Sequence, residues 1–256
     1  MPAPLLSVIV ITKNESARLD ACLASVAFAD EWIVLDSGSS DDTCERARRF
    51  GAQVFSLPDW PGFGAQKQRA LDRATGHWVL AIDADERVTP ELAANIRHAV
   101  AGEGGPVAYE LSRLSRFGDR WIHHGDWCPD RVLRLFQRDK ARFSADRVHE
   151  RVVAEGVVGR LSGELLHETM PTIEDALAKM NRYSSEGAAE RAAGGQRGGL
   201  AAAIGHAGWA FVRGYVVRRG FLDGSAGFAV AAYVAEGTFW RHLKIAELAR
   251  RLPTQR

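Results

Sequence analysis

Asp83-Ala84-Asp85 follows the apolar run Trp78-Val79-Leu80-Ala81-Ile82 and leads into Glu86-Arg87. Residues i and i+2 of a strand point to the same side, so the two carboxylates are expected to leave a sheet together at its C-terminal edge. Open α/β sheets bind their ligands at that edge. Paired hard oxygen donors suit Mg2+ or Mn2+, which take one or two carboxylates plus substrate phosphates. A D-x-D triplet is also what a solvated acidic turn looks like, so its meaning depends on the elements that carry it.

Those elements alternate. The β-branched, apolar stretch from Leu5 to Ile11 reads as a central parallel strand. Leu19, Cys22, Leu23 and Val26 then recur at helical spacing, which predicts a helix over residues 16–27. Trp32 to Leu35 is a second strand ending at Asp36, and Asp41 is a candidate N-cap for a helix stopped by Gly51. Gln53-Val54-Phe55 is a third strand, a helix runs through Gln66 to Ala74, and the strand bearing Asp83 follows. Thr89-Pro90 opens the next helix with Thr at the N-cap and Pro at the first helical position. Four strand–helix alternations in 100 residues predict a mostly parallel sheet with helices on both faces. The polar clusters Thr12–Glu15, Asp36–Asp42 and Asp83–Arg87 then fall on one edge of that sheet.

Residues 106–170 read differently, with short strands around Val107–Leu111, Val132–Phe136 and Arg151–Val153 and many His, Trp, Asp and Arg residues. From Thr172 the pattern is helical, Thr172 and Asp175 resembling a capping box. The run from Gly194 to Gly199 reads as a hinge, and an aromatic, basic segment follows to Leu248.

Composition narrows the class. Hydrophobic residues make up 46% and charged residues 25%, as in ordinary globular proteins. Cys22, Cys44 and Cys128 form no C-x-x-C pair, which argues against a disulfide framework or zinc site and for a reducing cytoplasm. The start of the chain lacks a basic n-region, so the run at residues 5–11 is expected to be a strand and not a signal peptide. No uncharged stretch reaches the roughly eighteen residues that span a bilayer. Net charge is +1, yet residues 171–256 carry 12 Lys/Arg against 7 Asp/Glu, while residues 1–170 carry 21 against 25. The basic tail lacks nucleic-acid recognition motifs, so nucleic acid is not expected as a partner. Its aromatics, among them Trp209, Phe221 and Trp240, interleave with Arg213, Arg218, Arg219, Arg241 and Lys244. That composition suits an interfacial helix on an anionic membrane, or equally a helical pair packed on the catalytic domain or a second subunit.

Neither G-x-G-x-x-G nor a Walker A loop follows strand one; Thr12-Lys13-Asn14-Glu15 stands there. A metal would then have to neutralise any pyrophosphate, which is the role open to Asp83 and Asp85. The blocks Val8-Ile9-Val10-Ile11-Thr12-Lys13-Asn14-Glu15, Val34-Leu35-Asp36-Ser37-Gly38-Ser39-Ser40-Asp41 and Asp83-Ala84-Asp85-Glu86 together resemble a family 2 glycosyltransferase of GT-A fold. The blocks Gly62-Phe63-Gly64-Ala65-Gln66, Arg134-Leu135-Phe136, Val148-His149-Glu150 and Gly220-Phe221-Leu222-Asp223-Gly224 are similar to the bacterial lipopolysaccharide-core β-1,4-glucosyltransferase subgroup, which adds glucose to an inner-core heptose.

The resemblance implies an α/β, three-layer GT-A sandwich with a mostly parallel central sheet and a helical C-terminal appendage. It implies a nucleotide-sugar half over 1–104, an acceptor-binding and catalytic half over 105–170, and a helical region over 171–256. It also implies UDP-glucose as donor, a glycolipid or lipopolysaccharide-core acceptor, Mg2+ or Mn2+, and inversion at the anomeric carbon. Thr12, Asn14, Glu15, Asp36, Gln66, Arg69, Asp83 and Ala84 would line the nucleotide sugar. Asp83, Asp85 and His167 would hold the metal. The general base would be Glu150, with Asp146 second, because the family's E-D pair is replaced here by His149-Glu150. His124, Asp126 and Trp127, with His123, would shape the acceptor pocket. The implied location is the cytoplasmic face of the bacterial inner membrane, with peripheral attachment. A nucleotidyltransferase is the alternative enzyme, but it needs a glycine-rich basic loop after strand one. A non-catalytic sugar- or lipid-binding protein on the same fold is the alternative outside catalysis, and retention of Asp36, Asp83 and Asp85 argues against it.

Overall fold

The computed structural model describes residues 5–102, 104–144 and 151–251. Strand β1 (Leu6–Thr12), helix α1 (Ser16–Ser25), β2 (Glu31–Asp36), α2 (Thr43–Phe50), β3 (Gln53–Ser56), α3 (Phe63–Leu71) and β4 (Trp78–Asp83) follow the expected alternation. A short β5 (Glu86–Val88) and α4 (Pro90–Ala101) come next. Thr89 caps α4, its hydroxyl accepting from the Leu92 amide, with Pro90 at the first turn. Helix α2 is shorter than expected: Asp42, not Asp41, is its N-cap residue, and Gly51 closes it in the left-handed conformation at φ 100°.

Then come β6 (Ala108–Phe117), β7 (Arg120–Trp121), β8 (Asp130–Gln137), β9 (Ala141–Phe143), β10 (Val152–Ala154) and β11 (Val158–Met170). Among the described residues the main sheet has the order β3-β2-β1-β4-β8-β6-β11-β5, with β7 beside β6. Strands β3, β2, β1 and β4 are parallel to one another. Strand β8 joins β4 antiparallel, β6 joins β8 antiparallel, and β5 pairs antiparallel with β11. The sheet is therefore mixed, and the expectation of a mostly parallel sheet holds only for its first half. The reason is in the connections: a parallel pair needs a long crossover, whereas among the described residues of 106–170 no α-helix intervenes, so these strands can pair antiparallel.

Strands β1, β2 and β4 are buried on both faces, which suits their largely apolar sequences, while the edge strand β3 is partly exposed. Val8, Val10, Leu80 and Ile82 face one core with Leu19 and Leu23 of α1 and Leu92 and Ile96 of α4. Ile9, Ile33, Leu35, Val79 and Ala81 face the other, with Ala70 and Leu71 of α3 and Phe136.

The chain folds as two compact units, residues 1–113 with 130–167 and residues 114–129 with 168–256. The divisions expected at 104/105 and 170/171 cut a continuous chain, but the observed units are discontinuous, because the segment 114–129 folds with the C-terminal helices. Those are α5 (Ile173–Ala193), α6 (Leu200–Val212) and α7 (Gly224–Arg251), with a π-helical turn over Arg213–Val217 and a 3-10 turn over Gly220–Asp223. Thr172 caps α5 through the Asp175 amide at 3.0 Å. Phe117, Ile122, Met170, Ala176, Ala226 and Val230 form this unit's buried core. A side chain at Gly227 would collide with the Gly220 carbonyl, so glycine is required where α7 meets the preceding turn.

Candidate active site

The site is built at the ends of the parallel strands. Thr12 and Asp36 are register partners closing β1 and β2, and the Thr12 hydroxyl donates to Asp36 Oδ1 at 3.2 Å. Asp36 is 1% exposed. Its Oδ2 accepts the Gly38 and Ser39 amides, each at 2.9 Å, and its Oδ1 also accepts the Ser39 hydroxyl. Burial pushes its carboxyl up, but these Ser39 and Gly38 hydrogen bonds win and hold it below the ordinary range. Asp36 is thus the knot of its own turn.

Asn14, at φ 56°, accepts from the Ser40 amide at 2.8 Å, and its own amide donates to Ser39 Oγ at 2.8 Å. It bridges the loops after β1 and β2 and does not cap α1; Glu15 is the N-cap residue there. The Glu15 amide donates to Thr43 Oγ1 at 2.9 Å. Burial raises the Glu15 carboxyl; Arg18 opposes this, while Asp85, Asp41 and Asp83 add to it. Three acidic loops converge here, as their common edge requires.

Gln66 is fully buried in α3 and donates to Ser37 Oγ at 2.9 Å. Arg69, one turn on, donates to Gln66 Oε1 at 3.2 Å and pairs with Asp59 at 2.8 Å.

Asp83 and Asp85 do not share a strand. β4 ends at Asp83 and β5 begins at Glu86, so Ala84-Asp85 is a turn and the two-residue strand period does not apply. The carboxylates consequently meet different partners. Asp83 Oδ1 pairs with Lys67 Nζ at 2.8 Å, and Oδ2 accepts from Arg134 Nη2 at 2.6 Å. The same Arg134 nitrogen reaches Glu86 Oε1 at 2.9 Å, and Glu86 Oε2 accepts the Asp83 amide at 2.9 Å. Arg113 joins Glu86 at 3.3 Å to Asp130 at 2.8 Å. Burial opposes ionisation of Asp83, yet Arg134 and Lys67 outweigh it and hold the carboxyl far below the usual range. Burial likewise disfavours charge on Arg134, and Asp83 and Glu86 keep it protonated.

Asp85 Oδ2 lies 3.4 Å from His167 Nε2. His167 stands on β11 in register with Glu86 of β5, so sheet pairing brings together residues 82 positions apart. Metal–ligand bonds of about 2.1 Å to each would span that separation, so this carboxylate and imidazole would suit a divalent ion. Among the described residues no group of three His, Cys, Asp or Glu side chains forms a metal cluster. Asp83, expected as a metal ligand, has both oxygens engaged by cations. Ala84, between them, is buried.

Residue types and spacing alone give no role to Lys67, Glu86, Arg113, Asp130 or Arg134. Lys67 had a signal: it occupies the buried stripe Gly64, Lys67, Ala70, Leu71, where a cation requires a carboxylate. Arg134 likewise interrupts the buried run of β8 beside Leu135 and Phe136.

The candidate bases Asp146 and Glu150 lie outside the described residues. His124, Asp126 and Trp127 belong to the second unit and are tied within it. Asp223 Oδ2 accepts the His123 and His124 amides at 3.0 and 2.8 Å, and its Oδ1 lies 2.9 Å from His124 Nδ1. Asp126 receives a fork from Arg213 at 3.0 and 2.8 Å and a further bond from Arg218 at 3.0 Å. Trp127 packs against Phe117 and Tyr233, each at 5.9 Å between centroids.

The family profile described as "Glycosyl transferase family 2" matches residues 7–146. An uncharacterised glycosyltransferase of Rickettsia prowazekii is 31% identical over 95% of this chain and 87% of its own. The lipopolysaccharide core biosynthesis glycosyltransferase LpsC of Rhizobium meliloti is 32% identical over 77% of this chain and 75% of its own. Among solved structures, glucosyl-3-phosphoglycerate synthase of Mycobacterium tuberculosis, in complex with Mn2+, UDP and glucosyl-3-phosphoglycerate, is 30% identical over 44% of each chain, with a TM-score of 0.38. The match to the family profile covers more than half of the sequence, and the chain belongs to glycosyltransferase family 2, with the GT-A fold and the activity of a glycosyltransferase.

Proposed function

We propose that this enzyme is an inverting, divalent-metal-dependent glycosyltransferase that moves a hexose, glucose from UDP-glucose, to a glycolipid hydroxyl. The acceptor in this reading is an inner-core heptose of lipopolysaccharide. Likeness to LpsC over 77% of the chain supports the acceptor class. The observation that carries the metal dependence is the Asp85–His167 pair, set beside a carboxylate that stays ionised.

Asp85 and His167 would hold Mg2+ or Mn2+, which when bound neutralises the departing diphosphate. Asp83 acts differently: clamped by Lys67 and Arg134, it fixes the turn that presents Asp85. Asn14 and Asp36 set the two loops on which the nucleoside rests. An inverting transfer needs one base to take the acceptor proton as the anomeric bond to the diphosphate breaks. We assign that role to Glu150, and to Asp146 if Glu150 does not carry it.

A panel of nucleotide sugars, with and without Mn2+ or Mg2+, tests the reading by thermal stabilisation and slow donor hydrolysis. UDP-glucose is expected to raise the melting temperature only when the ion is present. Stabilisation by no activated sugar under either condition would overturn it. Glu150→Gln should keep donor binding and lose transfer; if Asp146→Asn does this instead, the base is Asp146.

A further inference from the structure

Between Glu190 and Asp223 the chain holds five arginines (Arg191, Arg197, Arg213, Arg218 and Arg219) and no acidic residue. Helix α6 lies within this stretch. A surface helix ordinarily turns polar and charged residues to water. Helix α6 does the reverse: Leu200 is 61%, Ile204 59% and Trp209 57% exposed, and Val212 is exposed as well. Only small residues, Ala203 and Ala210, are buried on its inner side, where it packs on α7. The apolar surface continues through the next turns with Val217 and Leu222.

Cations frame this surface. Arg197 precedes α6 and Arg219 follows the π-helical turn, both exposed. A second copy of the chain would meet the face poorly, because a two-fold pairing sets the same arginine-rich patch against itself. An anionic lipid surface matches both features, taking aromatic and aliphatic side chains into its acyl boundary and guanidinium groups among its phosphates.

The window Leu200–Val217, with a mean hydropathy of 1.2, is long and apolar enough to cross a membrane by length and composition. Its far end is nevertheless tied down: Arg213 is forked onto Asp126, and Gly214 is buried. Helix α6 itself, at 13 residues, is about 20 Å long against a hydrocarbon core of about 30 Å. We propose that the outer face of α6 and the turn after it dock on an anionic phospholipid bilayer, lying in the head-group region without crossing it. This goes beyond the donor and acceptor reading and is tested without any sugar.

Flotation of the full chain with vesicles tests it. The protein is expected to float with phosphatidylglycerol–phosphatidylethanolamine vesicles and to stay behind with phosphatidylcholine alone. Arg197→Gln with Arg219→Asn should lower partitioning about 25-fold, about fivefold per arginine, asparagine tolerating the left-handed backbone at position 219 (φ 58°). Ile204→Ser with Trp209→Ser should also release the protein, with unchanged circular dichroism. Equal flotation with neutral vesicles, none with anionic ones, or full binding by either double variant would overturn the proposal. So would a dimer in lipid-free buffer that Ile204→Ser dissolves.

Discussion

The ends of β4 and β5 and the outer face of α6 depart from the usual partition of polar and apolar residues in opposite directions. At the first, Glu86, Lys67 and Arg134 are buried and Asp83 is half-buried, and each has an ionic partner within the same unit. At the second, large apolar side chains stand in water on a helix without a single acidic residue. Burying an ion costs several kcal/mol unless the fold supplies its counter-charge, so the first region is solved internally. Leaving apolar surface in water carries a smaller cost, spread over area, and can be met by something outside the chain.

The largest expected effect breaks the first region at its chemistry. Asp85→Ala should lower transfer by a factor on the order of 1,000 while leaving the melting temperature in place, as steady-state turnover and thermal denaturation will show. Next comes its scaffold. Arg134→Leu strands Asp83 and Glu86 without their shared cation and should cost about 3–5 kcal/mol, measured by urea unfolding.

A smaller effect depends on pH. The Asp83 carboxyl titrates far lower folded than unfolded, so between those values the unfolded chain binds more protons and stability rises with pH. Its contribution is full above the unfolded value of about 4 and is lost as pH falls below it. Lys67→Met should flatten that acid limb in denaturant midpoints taken from pH 6 down to pH 3. The smallest effect sharpens the contrast: Ile204→Ser should shift folding stability by no more than about 0.5 kcal/mol in the same urea assay. A larger loss there would mean that the exposed face of α6 supports the fold after all.

Much of the parallel half could be read from the chain because its signals are local. Thr89-Pro90 marks a helix start by its own hydrogen bond and its own φ, and the cap forms as expected. Unbroken apolar runs at residues 8–11 and 78–82 mark strands covered on both faces. The antiparallel half was less legible. β8 is inserted between β4 and β6, and no local pattern specifies which strand is its neighbour. The site shows the same limit. D-x-D was visible as a motif, but the strand period assigned both carboxylates one direction, and the chain turns between them.

Family, catalytic class and the identity of the acidic turn were set by residue types in order along the chain, since each of those signals lies within a few neighbouring positions. The division of labour between the two aspartates needed the folded sheet. Lys67 on α3, Arg134 on β8 and His167 on β11 come from distant segments, and charge–charge energy depends on separation in space. Only tertiary packing sets the distances of 2.8, 2.6 and 3.4 Å that make Asp83 a clamped anchor and leave Asp85 beside an imidazole.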